Sequence, residues 1–197
     1  YGILEADITD TTLVTLGMDY QKNDPRGSSG SGFPLFYDTG EQTDFDISTN
    51  AGARWNTNTL ESHNTFVKLD QQLGADWSLA MSLNYLKARR SGKSADASWG
   101  YPNRETGDGV QLYGGVSDAT QYQTSFDIHA KGPFQLFGQD HELIVGFNSS
   151  RYKNRHDTMD DDIEGTSINL HDWNNNPALP HTTGEKLFDY DLTVKQY

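Results

Sequence analysis

The feature that most limits this chain is a period of two that keeps returning between connections of alternating length. In Trp77-Ser78-Leu79-Ala80-Met81-Ser82-Leu83-Asn84-Tyr85 one side carries Trp77, Leu79, Met81, Leu83 and Tyr85, and the other carries Ser78, Ala80, Ser82 and Asn84. Successive side chains of a strand point to opposite faces, so such a run is a strand with one apolar and one polar side. The pattern returns at Val14, Leu16, Met18 and Tyr20, at Tyr122, Thr124, Phe126 and Ile128, and at Leu143, Val145 and Phe147. It is weaker around Thr65, Val67 and Leu69 and from Phe188 to Val194. Each run, with its flanks, extends to about ten residues.

Tight turns are expected at Ile8 to Thr12 and Leu73 to Asp76, and a modest one from Pro133 to Asp140. Long polar connections are expected at about Asn23 to Leu60, Ser91 to Ala119 and Asn154 to Glu185. A compact water-soluble domain seldom holds three loops of that length. A transmembrane β-barrel requires them, because its strands alternate lipid-facing and lumen-facing residues, its turns on one side are short and its loops on the other are long. The fold class expected is therefore all-β, an antiparallel meander of about seven long strands forming part of an outer-membrane barrel. Tyr20, Trp77, Tyr85 and Tyr122 would sit in the interfacial girdles. A soluble antiparallel sheet with one face on a core shows the same alternation and remains the alternative.

Composition agrees with strands and turns: 19 glycines, aromatic residues at 12% within a hydrophobic share of only 34%, and loops that supply much of the acid. A formal net charge of −13 argues against nucleic acid as a partner. Lys87, Arg89, Arg90 and Lys93 cluster, and read most simply as a charged strand end. The absence of cysteine excludes disulfides, zinc-thiolate sites and thiol nucleophiles. No run is long and apolar enough for a membrane helix, and the N-terminus carries no signal-peptide pattern. The chain begins at Tyr1 without a Met, as expected of a piece of a longer protein.

Chemical motifs are few. Asp160 to Gly165 starts like a calcium loop, but its twelfth position is His171 where a bidentate carboxylate is needed, so a solvated acidic loop is the better reading. Gly27 to Gly32 has no phosphate-loop spacing, and the six histidines form no metal-ligand pattern. No nucleophile elbow or defensible carboxylate pair points to an enzyme. Aromatic residues do gather in the connections, as Phe33, Phe36, Tyr37, Phe45 and Trp55 in the first, Trp99, Tyr101 and Tyr113 in the second, and Trp173 in the third. Exposed aromatics on loops suit a large, partly planar small molecule, or pack the loops together.

The segments Tyr1 to Thr9, Thr12 to Gln21, Gly32-Phe33-Pro34-Leu35-Phe36, Asp38-Thr39-Gly40 and Arg54-Trp55 resemble, in this order, the barrel of TonB-dependent ferric-siderophore receptors of the hydroxamate, coprogen or pyoverdine type. The likeness continues through Trp77 to Tyr85, Ser98-Trp99-Gly100 and Phe126 to Phe147. The Gly-rich loop departs from it, with Ser28-Ser29-Gly30-Ser31-Gly32 where such receptors often carry Trp-Gly-Gly.

The resemblance implies a partial receptor barrel over residues 1–197, without the plug domain and the remaining strands of a 22-stranded wall. It implies a Gram-negative outer-membrane location, a ferric siderophore as ligand, outer-membrane lipid around the wall, and the TonB–ExbB–ExbD system as partner through the plug. Iron would arrive as a siderophore complex, with no metal or cofactor held directly by the chain. Trp99, Tyr101, Arg104 and Tyr113 are the expected ligand-binding residues, three aromatics beside a cation. The competing function is a soluble all-β module that recognises a small molecule or glycan through its loop aromatics.

Overall fold

Seven strands pair strictly with their sequence neighbours, each antiparallel to the next. They are β1 (Gly2–Thr9), β2 (Thr12–Asn23), β3 (Thr57–Gln72), β4 (Ser78–Gly100), β5 (Val110–Leu136), β6 (Gln139–Asp161) and, after the short β7 (Ser167–Ile168), β8 (Thr182–Gln196). This computed structural model describes residues 1–161, 163 and 165–196, with backbone alone for 159–161 and 183–191. β7 leaves the main path and pairs with β5. The all-β antiparallel meander expected from the alternation is the observed architecture.

Local chemistry sets the short connections. Asp10-Thr11 turns β1 into β2, with Thr9 and Thr12 hydroxyls bonded across it at 2.7 Å. Phe137 and Gly138 join β5 to β6 with φ of 52° and 74°. Positive φ at both central residues is the turn geometry that matches the twist of a two-residue hairpin.

The register places apolar residues on one face in rows. Val14, Leu69, Met81, Ile128 and Phe147 stand in one row, and Leu16, Val67, Leu83 and Phe126 stand in the next. The described residues leave this face open: Leu16 is 44% exposed, Leu83 48% and Phe147 52%. Trp77 bounds the band at the short-turn end, where its ring lies over Gly132. Tyr20, Tyr85 and Tyr122 bound it at the long-loop end. From Trp77 to Tyr85 is about 27 Å along the strand, or about 20 Å of height at the usual tilt, close to the apolar band of an outer-membrane barrel. The opposite face of the band carries Thr15, Gly17, Lys68, Ser82 and Asp127.

Three expectations need correction. The connection placed at Ser91 to Ala119 is mostly strand and the one at Asn154 to Glu185 is strand in part: β4 runs to Gly100, β5 starts at Val110 and β6 reaches Asp161. A span needs about ten residues, so more than half of β4 stands beyond the bilayer. There the backbone bonds still pair, but no lipid demands apolar side chains, and the alternation that marks a strand disappears. The third concerns β8, where the described register with β6 runs from Ser150 to Asp161, at the long-loop end. Leu192 and Val194 lie opposite Asn154 and Tyr152, on the polar face.

The projecting β4–β5 hairpin has both edges closed. Where β3 ends, Ala53 N donates to Ala95 O and Ala97 N to Ala51 O, so the first long loop continues the β3 position. Where β6 leaves, β7 pairs with Val110 and Gln111. Ala53, Ala95, Leu112 and Ile163 form a small core between these segments, covered by Trp55 and Trp173. The indole N–H groups of those two residues donate to Pro177 O and Asn50 O, so these aromatics fasten loops to one another.

Candidate functional site

One irregularity in the hairpin builds the site. β4 and β5 keep a constant register until Ala97 faces Leu112, after which Trp99 faces Gln111, leaving Ser98 as an extra residue on β4. A bulge shifts every later side chain to the other face. Without it Trp99 would point outward with Ala95 and Ala97. With it Trp99 joins the inner face, where its ring stacks on Tyr113 at 5.9 Å between centroids and 20° between planes. Both rings stay open, at 62% and 47% exposure.

Tyr113 lines a concave cavity of about 820 Å³ on this inner face, together with Asn58, Arg90, Gln121 and His156. Arg90 Nε donates to Asn58 Oδ1 at 2.7 Å, and among the described residues no carboxylate pairs with it. The cavity thus holds an aromatic shelf at its rim and a cation on its wall.

Beside the shelf the Gly/Ser-rich loop is tied down by one carboxylate. Asp96, directly opposite Tyr113 in the register, is only 3% exposed. Its Oδ2 accepts from the Gly30 and Ser31 amides at 3.0 and 3.2 Å and from Ser31 Oγ at 3.2 Å. Its Oδ1 accepts from Ser29 Oγ at 3.1 Å and Asn56 Nδ2 at 3.0 Å. Asn56 is buried too, and its Oδ1 accepts the Ala95 amide. The sequence reading missed Asp96 and Asn56, since a lone Asp in a polar run gives no signal until the fold brings the loop to it.

Of the four expected binding residues, the structure brings Trp99 and Tyr113 together, on strands rather than in a loop. Tyr101, 64% exposed, and Arg104 lie in the connection between β4 and β5. Arg104 is turned to the first loop: its Nη1 is 3.1 Å from Glu41 and its Nη2 3.4 Å from Asp44, with the guanidinium 5.4 Å from the Tyr37 ring centre. The acidic run at 160–165 includes Asp162 and Glu164, which lie outside the described residues.

The clasp between the first two long loops also includes Asp38 N donating to Pro102 O and Asn103 Nδ2 donating to Asp38 Oδ2. The Tyr37 hydroxyl donates to Asp44 at 2.5 Å. That bond, ahead of the Arg104 charge, holds the Asp44 carboxyl below its ordinary range, and the same bond with burial holds the Tyr37 phenol above its own. A lowered acid stabilises the clasp above the ordinary carboxylate pKa of about 3.9, and that contribution is lost as pH falls through the lower folded value. A raised phenol stabilises it below about 10, and that contribution is lost as pH rises through the higher folded value. The protection factor of the Asp38 amide is therefore expected to stay level from about pH 5 to 9 and to fall only outside that window. A decline between pH 5 and 8 would show that other groups control the clasp.

No family model matches the chain. A ferric-pyoverdine 358 receptor of Pseudomonas putida is 37% identical over 183 residues, which is 91% of this chain and 22% of the relative. The ferripyoverdine receptor of Pseudomonas aeruginosa is 36% identical over 155 residues, 76% of this chain and 18% of the relative. The crystal structure of the ferripyoverdine receptor of the outer membrane of P. aeruginosa, bound to ferripyoverdine, superposes with a TM-score of 0.87 at 24% identity, covering 98% of this chain and 26% of the other. A second structure of that receptor bound to pyoverdine gives 0.83 at 25% identity. The chain spans about a quarter of the length of the proteins it matches.

Proposed function

Since this chain is a relative of the ferric-pyoverdine receptors over one segment of their barrel wall, we propose that it forms part of an outer-membrane receptor that binds a ferric siderophore of the pyoverdine kind. Import would draw on the TonB–ExbB–ExbD system through a plug region, with residues 1–197 as partial wall. The reading is of a transport receptor, not an enzyme, in a Gram-negative outer membrane. The uncovered apolar band and the relatives' descriptions favour it over a soluble binding module.

The observation that carries the proposal is the Ser98 bulge, which re-aims Trp99 onto Tyr113 at the rim of the inner cavity. Stacked aromatic faces accept a planar ligand at low conformational cost. Arg90 on the cavity wall supplies charge for the carboxylate or carbonyl oxygens of a metal complex. Tyr101 extends the aromatic surface, while Arg104 acts by holding the two loops together and contributes its charge from the rim.

In the full-length protein, Trp99→Ala and Tyr113→Ala are each expected to weaken ferric-siderophore binding by about tenfold, the worth of one good aromatic contact. Arg90→Gln is expected to cost more than Arg104→Gln. Titration of ligand against ligand-free protein in detergent measures all four. Unchanged affinity in both aromatic variants would remove this shelf from the binding site.

A further inference from the structure

The Gly/Ser-rich loop encloses space as well as closing over the wall. Between residues 28–30 and the inner face of β3, β4 and β5 lies a cleft of about 110 Å³. It opens into the larger cavity, with which it shares Asn58, Arg90, Ser94, Gly115 and Ser117. Asn58, Gly92 and Ser117 stand in one inner row, and Ser94 and Gly115 in the next. All twelve residues around the cleft are Gly, Ser, Thr, Asn, Arg or Lys, so none is apolar and none acidic. One water needs roughly 10 to 15 Å³, so the cleft has room for an arm of a few heavy atoms.

Its hydrogen-bonding groups divide into two sets. Ser29 Oγ and Asn56 Nδ2 donate to Asp96, and the Gly30 amide does the same, so this side of the cleft is fixed and satisfied. The Ser28, Ser94 and Ser117 hydroxyls and Asn58 Nδ2 have no protein partner among the described residues. Arg90 spends Nε on Asn58 Oδ1 and keeps its Nη groups for the opening. Lys93 lies along the wall, but its ammonium stands 5.7 Å from the Trp55 ring centre. Glycine keeps the floor low: a Cβ at Gly92 would come within 2.5 Å of Thr57 O.

We propose that this cleft is a second ligand subsite, which takes a short neutral hydroxyl-bearing arm of the ferric complex whose planar part lies on the Trp99–Tyr113 shelf. It rests on the receptor reading above and adds a selectivity which that reading does not contain. A hydroxyl donates and accepts, as the rotatable serine hydroxyls do, and it also accepts from the Asn58 amide. An aliphatic arm would leave those groups unpaired, and a site built to hydrogen-bond a ligand hydroxyl rejects the analogue that lacks it. A carboxylate arm would meet Arg90 at the opening, but Asp96 stands one hydrogen bond behind Ser29 and Gly30, and like charges disfavour each other there.

The test titrates the full-length protein in detergent with ferric complexes of a synthetic peptide hydroxamate, made with serine, alanine, leucine or aspartate at each arm position in turn. At one position the serine form is expected to bind about fivefold tighter than the alanine form, the worth of one hydrogen bond, and roughly tenfold or more tighter than the leucine form. Ser94→Ala combined with Ser117→Ala should abolish the difference between serine and alanine forms while the alanine form keeps its affinity. Ser94→Leu, which fills the cleft, should weaken both. Trp99→Ala should weaken all four forms equally. If it does so and wild type prefers serine at no position, the cleft fails and the shelf stands. If wild type binds none of the forms, the receptor reading fails and the cleft with it. An aspartate form tighter than the serine form, or a serine preference that survives the double alanine variant, would also overturn the proposal.

Discussion

Met81→Arg and Leu83→Arg should each lower the stability of the membrane-assembled wall by about 2 to 4 kcal/mol, while Ser82→Arg, one residue away from both, costs far less. Met81 stands in a row with Val14, Leu69, Ile128 and Phe147, and Leu83 between Val67 and Phe126. Both rows lie within the band bounded by Trp77 and Tyr85, where a guanidinium meets hydrocarbon and must drag water or headgroups inward. Ser82 faces the other way, between Lys68 and Asp127 in the register. An arginine there gains a carboxylate across the strand and keeps access to the lumen. The experiment is denaturant unfolding of the full-length protein reassembled in lipid vesicles, with the three variants compared at equal protein-to-lipid ratio. A soluble sheet with its apolar face on a core would also suffer from the first two. Lipid dependence is therefore the second readout: the loss should shrink in vesicles of thinner hydrocarbon, which bring the edge closer to both rows. Equal losses at positions 81, 82 and 83 would mean that the two faces have been assigned wrongly.

The same alternation shows why part of the fold was legible in the sequence and part was not. From Trp77 to Tyr85 lipid on one side and a wet lumen on the other impose opposite demands on successive residues, so the strand announces itself. From Arg89 to Gly100 both faces meet water or loops, and the residues needed there are those that keep the ladder bonded, which almost any polar sequence does. The strands of the projecting hairpin were therefore invisible, and the second connection looked far longer than the stretch from Tyr101 to Gly109. The site divides in the same way. Trp99 and Tyr113 stood out as aromatics in a polar setting. Their partnership depends on a single extra residue, Ser98, and a one-residue register change leaves no mark in composition or period. Trp55 and Trp173, chosen on similar grounds, turned out to fasten loops, because their indole N–H groups found backbone carbonyls on neighbouring segments.

Asp96→Ala should release the Gly/Ser-rich loop from the wall, raising amide exchange across residues 27–32 by about 100-fold. Asp96 receives five donors from four residues, Ser29, Gly30, Ser31 and Asn56, and two of them are backbone amides. Each donor that stays buried without an acceptor costs about 1 to 3 kcal/mol. The loop escapes that penalty by leaving the wall, since its glycines and serines lose little packing when they do. The difference of about 3 kcal/mol between two lost bonds and none then appears as the population of the open state. Asp96→Asn keeps one acceptor oxygen and places an amide N–H₂ against donors, so it should fall between wild type and alanine. Because Asp96 faces Tyr113 across the ladder, the released loop removes the wall beside the aromatic shelf, and ligand dissociation should become faster. If Gly30 and Ser31 remain as protected in Asp96→Ala as in wild type, the loop is held by Asn56 and the Ser29–Ser31 contact instead, and the carboxylate only fills space.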